Sequence, residues 1–167
     1  MTAIRDATED DLPRIVAITN DAILRTTANW NYGPVTLEQR RAFLLGRQQR
    51  GFPVLVADVD GAVTGFASYG DFRPFDGYKL TVEHAIYVDP AAHGRGIGKA
   101  LLGELIDRAG RAGLHVMIGA IDAGNAVSIA LYRRFGFVET GRMPEVGRKF
   151  DRWLDLVLMQ KMLEETP

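Results

Sequence analysis

The sequence predicts an α/β fold with a mixed, mostly antiparallel central sheet flanked by helices, running as one domain over residues 1–167. Three observations carry the prediction. Two strand-to-helix units follow one another, from Val82 to Leu102 and from His115 to Phe137. Ahead of them, Pro53 to Asp58, Ala62 to Phe72 and Leu80 to Asp89 read as an antiparallel meander, with Asp60-Gly61 as its first hairpin turn. At 167 residues the chain is long enough to bury a full hydrophobic core.

Ile4 to Thr8 reads as a short strand. Thr8 or Glu9 can cap a helix whose Leu12, Ile15, Val16, Ile18, Ala22 and Ile23 recur at helical spacing. Thr26 to Pro34 is a loop carrying Trp30 and Tyr32, and Thr36-Leu37-Glu38-Gln39 opens a second helix that ends near Gly51. The meander and the two strand-to-helix units come next. Val138 to Val146 and Arg152 to Met162 form a last pair of strands.

The first strand-to-helix unit is the most informative stretch. Val82-Glu83-His84-Ala85-Ile86-Tyr87-Val88 is an apolar strand stopped by Asp89-Pro90. His93-Gly94-Arg95-Gly96-Ile97-Gly98-Lys99 then turns into a helix with Leu101, Leu102, Leu105, Ile106 and Ala109 on one face. Glycines at alternate positions let the backbone approach a ligand, and a helix start leaves N–H groups free to meet it. Together with the positive end of the helix dipole they suit a phosphate. Arg95 and Lys99 add positive charge. The pattern is no Walker loop, because His93 stands where the first glycine belongs and Ala100 where the metal-binding hydroxyl belongs. Nor is it a dinucleotide fingerprint, whose third glycine would fall at Lys99.

The second unit runs from the short strand His115 to Ile121 into Asn125-Ala126-Val127-Ser128-Ile129-Ala130-Leu131-Tyr132, closed by Gly136 after the helix. Helical spacing places Asn125, Ser128 and Tyr132 on one face.

These two units resemble the GNAT superfamily of acetyl-CoA-dependent N-acetyltransferases. The family's pyrophosphate turn, Arg/Gln-x-x-Gly-x-Gly/Ala, is matched by His93 to Gly98 with a histidine in first place. The later Asn…Leu-Tyr…Gly-Phe motif is matched in full by Asn125, Leu131, Tyr132, Gly136 and Phe137. Similarity is strongest to the branch acting on phosphinothricin and methionine sulfoximine. It rests on Ala67 to Phe75, Thr81-Val82-Glu83-His84 and Val146 to Asp155. The resemblance implies acetyl-CoA as co-substrate and a strand that splays from its neighbour; three scattered histidines without a carboxylate pattern suggest no metal site. Ile86, Tyr87 and Val88 would face the thioester, with a free backbone N–H at Tyr87 or Val88 steadying the oxyanion. Gly94, Arg95, Gly96, Ile97, Gly98 and Lys99 would hold the pyrophosphate, and Asn125 and Ser128 would line the same site.

Acyl transfer to an amine needs a neutral nitrogen, and an α-ammonium group is mostly protonated at neutrality. A base within reach therefore helps. Glu83 is the one acid inside the central strand, and the related transferases carry a glutamate there. Tyr132 resembles the acid that protonates the departing thiolate. In this branch Arg73, Pro74 and Phe75 lie beside the active strand, where the guanidinium can take a carboxylate or phosphinate. Phe75, Tyr78 and Trp30 would wall an apolar slot, and Glu83, His84 and Ala85 would meet the acceptor along the strand. Plainer readings stand beside these: an exposed strand acid, a core tyrosine, a solvated arginine, and strand histidines at His84 and His115.

Bulk properties narrow the partners. A net charge of −1 argues against a nucleic-acid surface. Zero cysteines exclude disulfides and thiolate chemistry. Arg5, Asp6, Glu9 and Asp10 interrupt the N-terminal stretch, so no signal peptide or membrane span is expected, and the cytoplasm is the expected compartment. A homodimer is expected from the resemblance, with Gly147-Arg148-Lys149-Phe150 reaching the partner. Arg73 and Lys149 near the site favour a small amino acid or analogue as the amine substrate. A protein N-terminus, polyamine or aminoglycoside acceptor, and a non-catalytic CoA-binding module, remain as alternatives.

Overall fold

The computed structural model describes residues 1–164. In chain order the elements are β1 (Thr2–Asp6), α1 (Leu12–Arg25), α2 (Leu37–Gln49), β2 (Val54–Val59), β3 (Ala62–Asp71), β4 (Thr81–Val88), α3 (Ile97–Arg111), β5 (Val116–Asp122), α4 (Ala126–Arg134), β6 (Val138–Lys149) and β7 (Arg152–Met162). One sheet holds all seven strands in the order β1-β2-β3-β4-β5-β7-β6. Among the described residues only β4 and β5 pair in parallel; every other neighbouring pair is antiparallel. The expected mixed, mostly antiparallel sheet is the one observed.

Strand alternation divides the core between the two faces of the sheet. Leu55, Ala57, Ala67 and Val82 pack with Leu101, Leu105, Ile129 and Tyr132 of α3 and α4. The intervening Val54, Val56 and Phe66 pack on the other face with Ile15, Ile18 and Leu44 of α1 and α2. Thr36 and Gln39 open α2 as a reciprocal capping box, at 3.2 and 2.8 Å. The start of α1 differs from expectation. The Asp11 carboxylate accepts from the Thr8 N–H and from Arg5, so a short 3₁₀ turn over Glu9–Asp11 precedes a helix that begins at Leu12.

The β6–β7 hairpin carries a second correction. Lys149 is buried, and its ammonium donates to the carbonyls of Ile23, Thr26 and Asn29. These are the unpaired acceptors at the C-terminal end of α1 and in the loop that follows it, and a cation is favoured there. Lys149 therefore clamps the α1–α2 loop and presents no charge to an acceptor. Tyr32 reinforces the clamp by donating its hydroxyl to the Arg148 carbonyl at 2.6 Å.

Candidate active site

The site begins where β4 and β5 part. Their ladder runs from Thr81–Val116 to His84–Gly119 and stops, although β4 continues to Val88 and β5 to Asp122. The antiparallel ladder to β3 fixes which backbone groups that leaves free. Asp89 N–H donates to Thr64 and Phe72 N–H to the Thr81 carbonyl, so the odd-numbered residues of β4 bond to β3. The even-numbered Ile86 and Val88 turn their N–H and C=O toward the splay. Tyr87, one of two candidates for the backbone donor, is committed to β3; Val88 has the required direction.

A cleft of about 1560 Å³ extends from this splay, between the starts of α3 and α4. It is lined by Ile86, Tyr87, Val88, Gly94, Gly96, Ile97, Gly98, Lys99, Asn125, Ser128 and Tyr132, all of them anticipated from the sequence. Gly94 and Gly96 have φ of 75° and 78°, the left-handed region open to glycine at little cost, and Gly96 is the residue from which α3 starts. The turn thus aims the first N–H groups of a fifteen-residue helix into the cleft. These donors and the volume of the cleft fit a nucleotide pyrophosphate carrying a long arm. Arg95 is a correction: its side chain is exposed and does not line the cleft. Asn125 caps α4, its side chain accepting from Ser128 N–H at 3.1 Å.

A smaller cleft of about 290 Å³ adjoins the first and is lined by Trp30, Glu83, His84, Ala85 and Tyr87 together with Thr27, Asn29 and Asp122. Tyr132 borders both clefts. Glu83 opens into the smaller one; desolvation by the protein around it raises its pKa, and nearby Arg73 partly offsets the rise. Burial pushes the Tyr132 hydroxyl well above its ordinary value, so it keeps its proton at neutrality.

Four of the expected substrate residues need correction. The His84 ring is buried on the α4 face of the sheet, its Nδ1 2.9 Å from the Ile118 carbonyl and its ring 4.9 Å from that of Tyr132. Burial lowers its pKa to about 4 and keeps it neutral, so its side chain packs Tyr132 and offers the acceptor no charge. Phe75 is 70 % exposed and lines neither cleft. Tyr78 packs edge-on against Phe72 at 5.8 Å, and neither it nor Pro74 forms a cleft wall. Arg73 lines neither cleft; it stacks over Phe72, 4.9 Å from the ring centroid, and its charge reaches Glu83. Trp30 does form a wall: its indole N–H donates to Thr27 at 2.9 Å, and a Cβ at Gly147 would come within 2.3 Å of its ring.

Sequence reasoning missed Thr27, Asn29 and Asp122. Thr27 donates its hydroxyl to Asp122, and Asn29 donates to the Tyr87 hydroxyl at 3.1 Å, tying the α1–α2 loop across the mouth of the splay. Their partners lie 95 and 58 residues away in sequence, so no local signal marks them.

The sequence pattern of the Acetyltransferase (GNAT) family matches residues 15–137. This chain belongs to that family. It is 54 % identical over 165 residues, 98 % of this chain and 96 % of the other, to an L-methionine sulfoximine/L-methionine sulfone acetyltransferase of Pseudomonas paraeruginosa. A GNAT superfamily phosphinothricin acetyltransferase from Sinorhizobium meliloti, solved in complex with acetyl-CoA, superposes with a TM-score of 0.95 at 38 % identity, covering 98 % of this chain and 89 % of that one. A ribosomal-protein-alanine N-acetyltransferase from Brucella melitensis also superposes with a TM-score of 0.95, at 53 % identity over 96 % of this chain and 99 % of that one. The expected family is borne out, and the GNAT chain is an acetyltransferase. Among the described residues no helix is long and apolar enough to cross a membrane.

Proposed function

We propose that this GNAT acetyltransferase acts as one domain to acetylate the α-amine of a small amino acid or analogue, of the methionine sulfone, methionine sulfoximine or phosphinothricin type. The carrying observation is Glu83, a carboxylate of raised pKa in a small cleft opening onto the β4–β5 splay. Acetyl-CoA, held along the larger cleft, supplies an activated acyl thioester. The glycine turn from Gly94 to Lys99 holds the pyrophosphate, and Asn125 and Ser128 line the arm. Glu83 takes the proton from the acceptor ammonium, directly or through a water. Val88 N–H points where negative charge develops on the carbonyl oxygen. Tyr132 protonates the thiolate.

Size and charge favour a free amino acid over a protein N-terminus, the reading that the Brucella relative raises. The acceptor cleft is small, and the Lys149 clamp and Trp30 hold the loop over it. A peptide also lacks the free α-carboxylate that cationic groups beside Glu83 would take. A homodimer in the cytoplasm completes the reading. Its support is an apolar surface on the β6–β7 hairpin, where Val146, Phe150 and Trp153 are exposed.

Arg73 supplies the test of acceptor recognition. A charge-assisted hydrogen bond contributes about 1.5–3 kcal/mol, so Arg73→Ala should raise the KM for methionine sulfoximine roughly ten- to a hundredfold. Acetyl-CoA affinity should stay as it was. Thiol-release kinetics measure both, and an unchanged acceptor KM would remove Arg73 from the site.

A further inference from the structure

One pair of cations near the site forms no ion pair among the described residues. Arg40 and Arg47 lie two turns apart on α2, on the face turned to the sheet. Both are half-buried. Asp71, the acid whose charge reaches Arg47, is paired with Arg50. Arg40 Nε is buried without any hydrogen-bond partner. Desolvation lowers the pKa of both guanidinium groups, which marks them as cations held at a cost.

Their placement gives that cost a use. Phe43 supports both guanidinium groups, at 4.7 Å for Arg40 and 5.1 Å for Arg47, which leaves their N–H edges free for an oxyanion. Arg47 lies directly over Gly70: a Cβ there would fall 1.2 Å from its Nη1. Gly70 is the register partner of Glu83, so their side chains point to the same face. Cβ positions on such a rung are about 4.5–5.5 Å apart. The Arg47 fork therefore sits within one amino acid's width of the Glu83 side chain, behind the lining of the two clefts rather than in it. Arg40 lies at the other end of the same stretch, where burial raises the pKa of the Tyr87 hydroxyl and the Arg40 charge partly offsets the rise.

We propose that Arg40 and Arg47 form an anion subsite that receives the α-carboxylate of the acceptor amino acid, leaving Arg73 for its side-chain head. The inference rests on the amino-acid reading above and deepens it. Since the amine and carboxylate share one carbon, a carboxylate held by Arg47 brings the amine to the rung of Glu83. Methionine sulfone carries a single anionic group, so all of its anion recognition falls to this subsite.

The test compares methionine sulfone with its decarboxylated amine counterpart, using wild type, Arg47→Gln, Arg40→Gln and Arg47→Lys. The Gln variants should raise the methionine sulfone KM at least about tenfold. They should leave the KM of the decarboxylated amine and of acetyl-CoA unchanged, with Arg47→Lys in between. Their Tm should be equal to or above wild type, because an unpaired buried charge has been removed. Equal losses on both acceptors with a lowered Tm would show that the arginines only hold α2 to the sheet, and would overturn the subsite. So would unchanged kinetics on methionine sulfone. A wild-type enzyme that acetylated the decarboxylated amine but not methionine sulfone would overturn both the subsite and the amino-acid reading beneath it.

Discussion

Gly96→Asp should abolish acetyl-CoA binding. Gly96 stands at φ 78° and starts α3, so any side chain there is strained, and aspartate also puts a negative charge where the helix N-terminus presents its donors. Gly98→Asp separates the two effects. Gly98 is not among the positive-φ glycines, and a Cβ there meets only Leu131 and Val88 at 3.7 and 3.8 Å, an ordinary contact. It adds charge with little backbone strain. Both variants should lose calorimetrically measurable affinity for acetyl-CoA while keeping a folded circular dichroism spectrum. Retained affinity in Gly98→Asp would mean that the pyrophosphate lies elsewhere.

Glu83→Gln should have the second large effect, on turnover. General bases contribute roughly 10²- to 10⁴-fold, and a loss in that range is expected in kcat/KM for the acceptor, with acetyl-CoA affinity preserved. The pH profile identifies the cause. Burial raises the Glu83 pKa, so the group works as a base only above a pH higher than an ordinary glutamate would need. Wild-type activity should fall as pH drops through that raised value. In Glu83→Gln that limb disappears, and the deficit shrinks as pH rises and more of the amine is neutral. An unaltered size and profile would exclude Glu83 as the base.

What was legible in the sequence was local. The glycine turn, the strand before it and the Asn125–Tyr132 helix face are each set by residues within a few positions, and the structure brings them into one cleft. The acceptor side is assembled from distant pieces, and there local reading failed. Phe75 and Tyr78 have the chemistry of a pocket wall, but the loop pairs Tyr78 with Phe72 and leaves Phe75 in solvent. Lys149 looked available to a substrate because its three carbonyl acceptors lie 120 to 126 residues away. His84 followed from alternation along β4: Val82 and His84 face the α4 side and Glu83 the other, so a strand motif that reads as one recognition element is split between two faces. Arg40 and Arg47 gave no signal as charges on an amphipathic helix, and only the packing of α2 against Gly70 sets them apart.

The central claim is the identity of the acceptor, and competition tests it most directly. Acetyl-CoA is supplied to the enzyme with equal concentrations of methionine sulfone, phosphinothricin, an alanine-terminated peptide and spermidine, and the acetylated products are read by mass spectrometry at low conversion. N-acetylated amino acids, with peptide and polyamine products far below them, are the predicted result. Acetylated peptide or spermidine as the dominant product would contradict it.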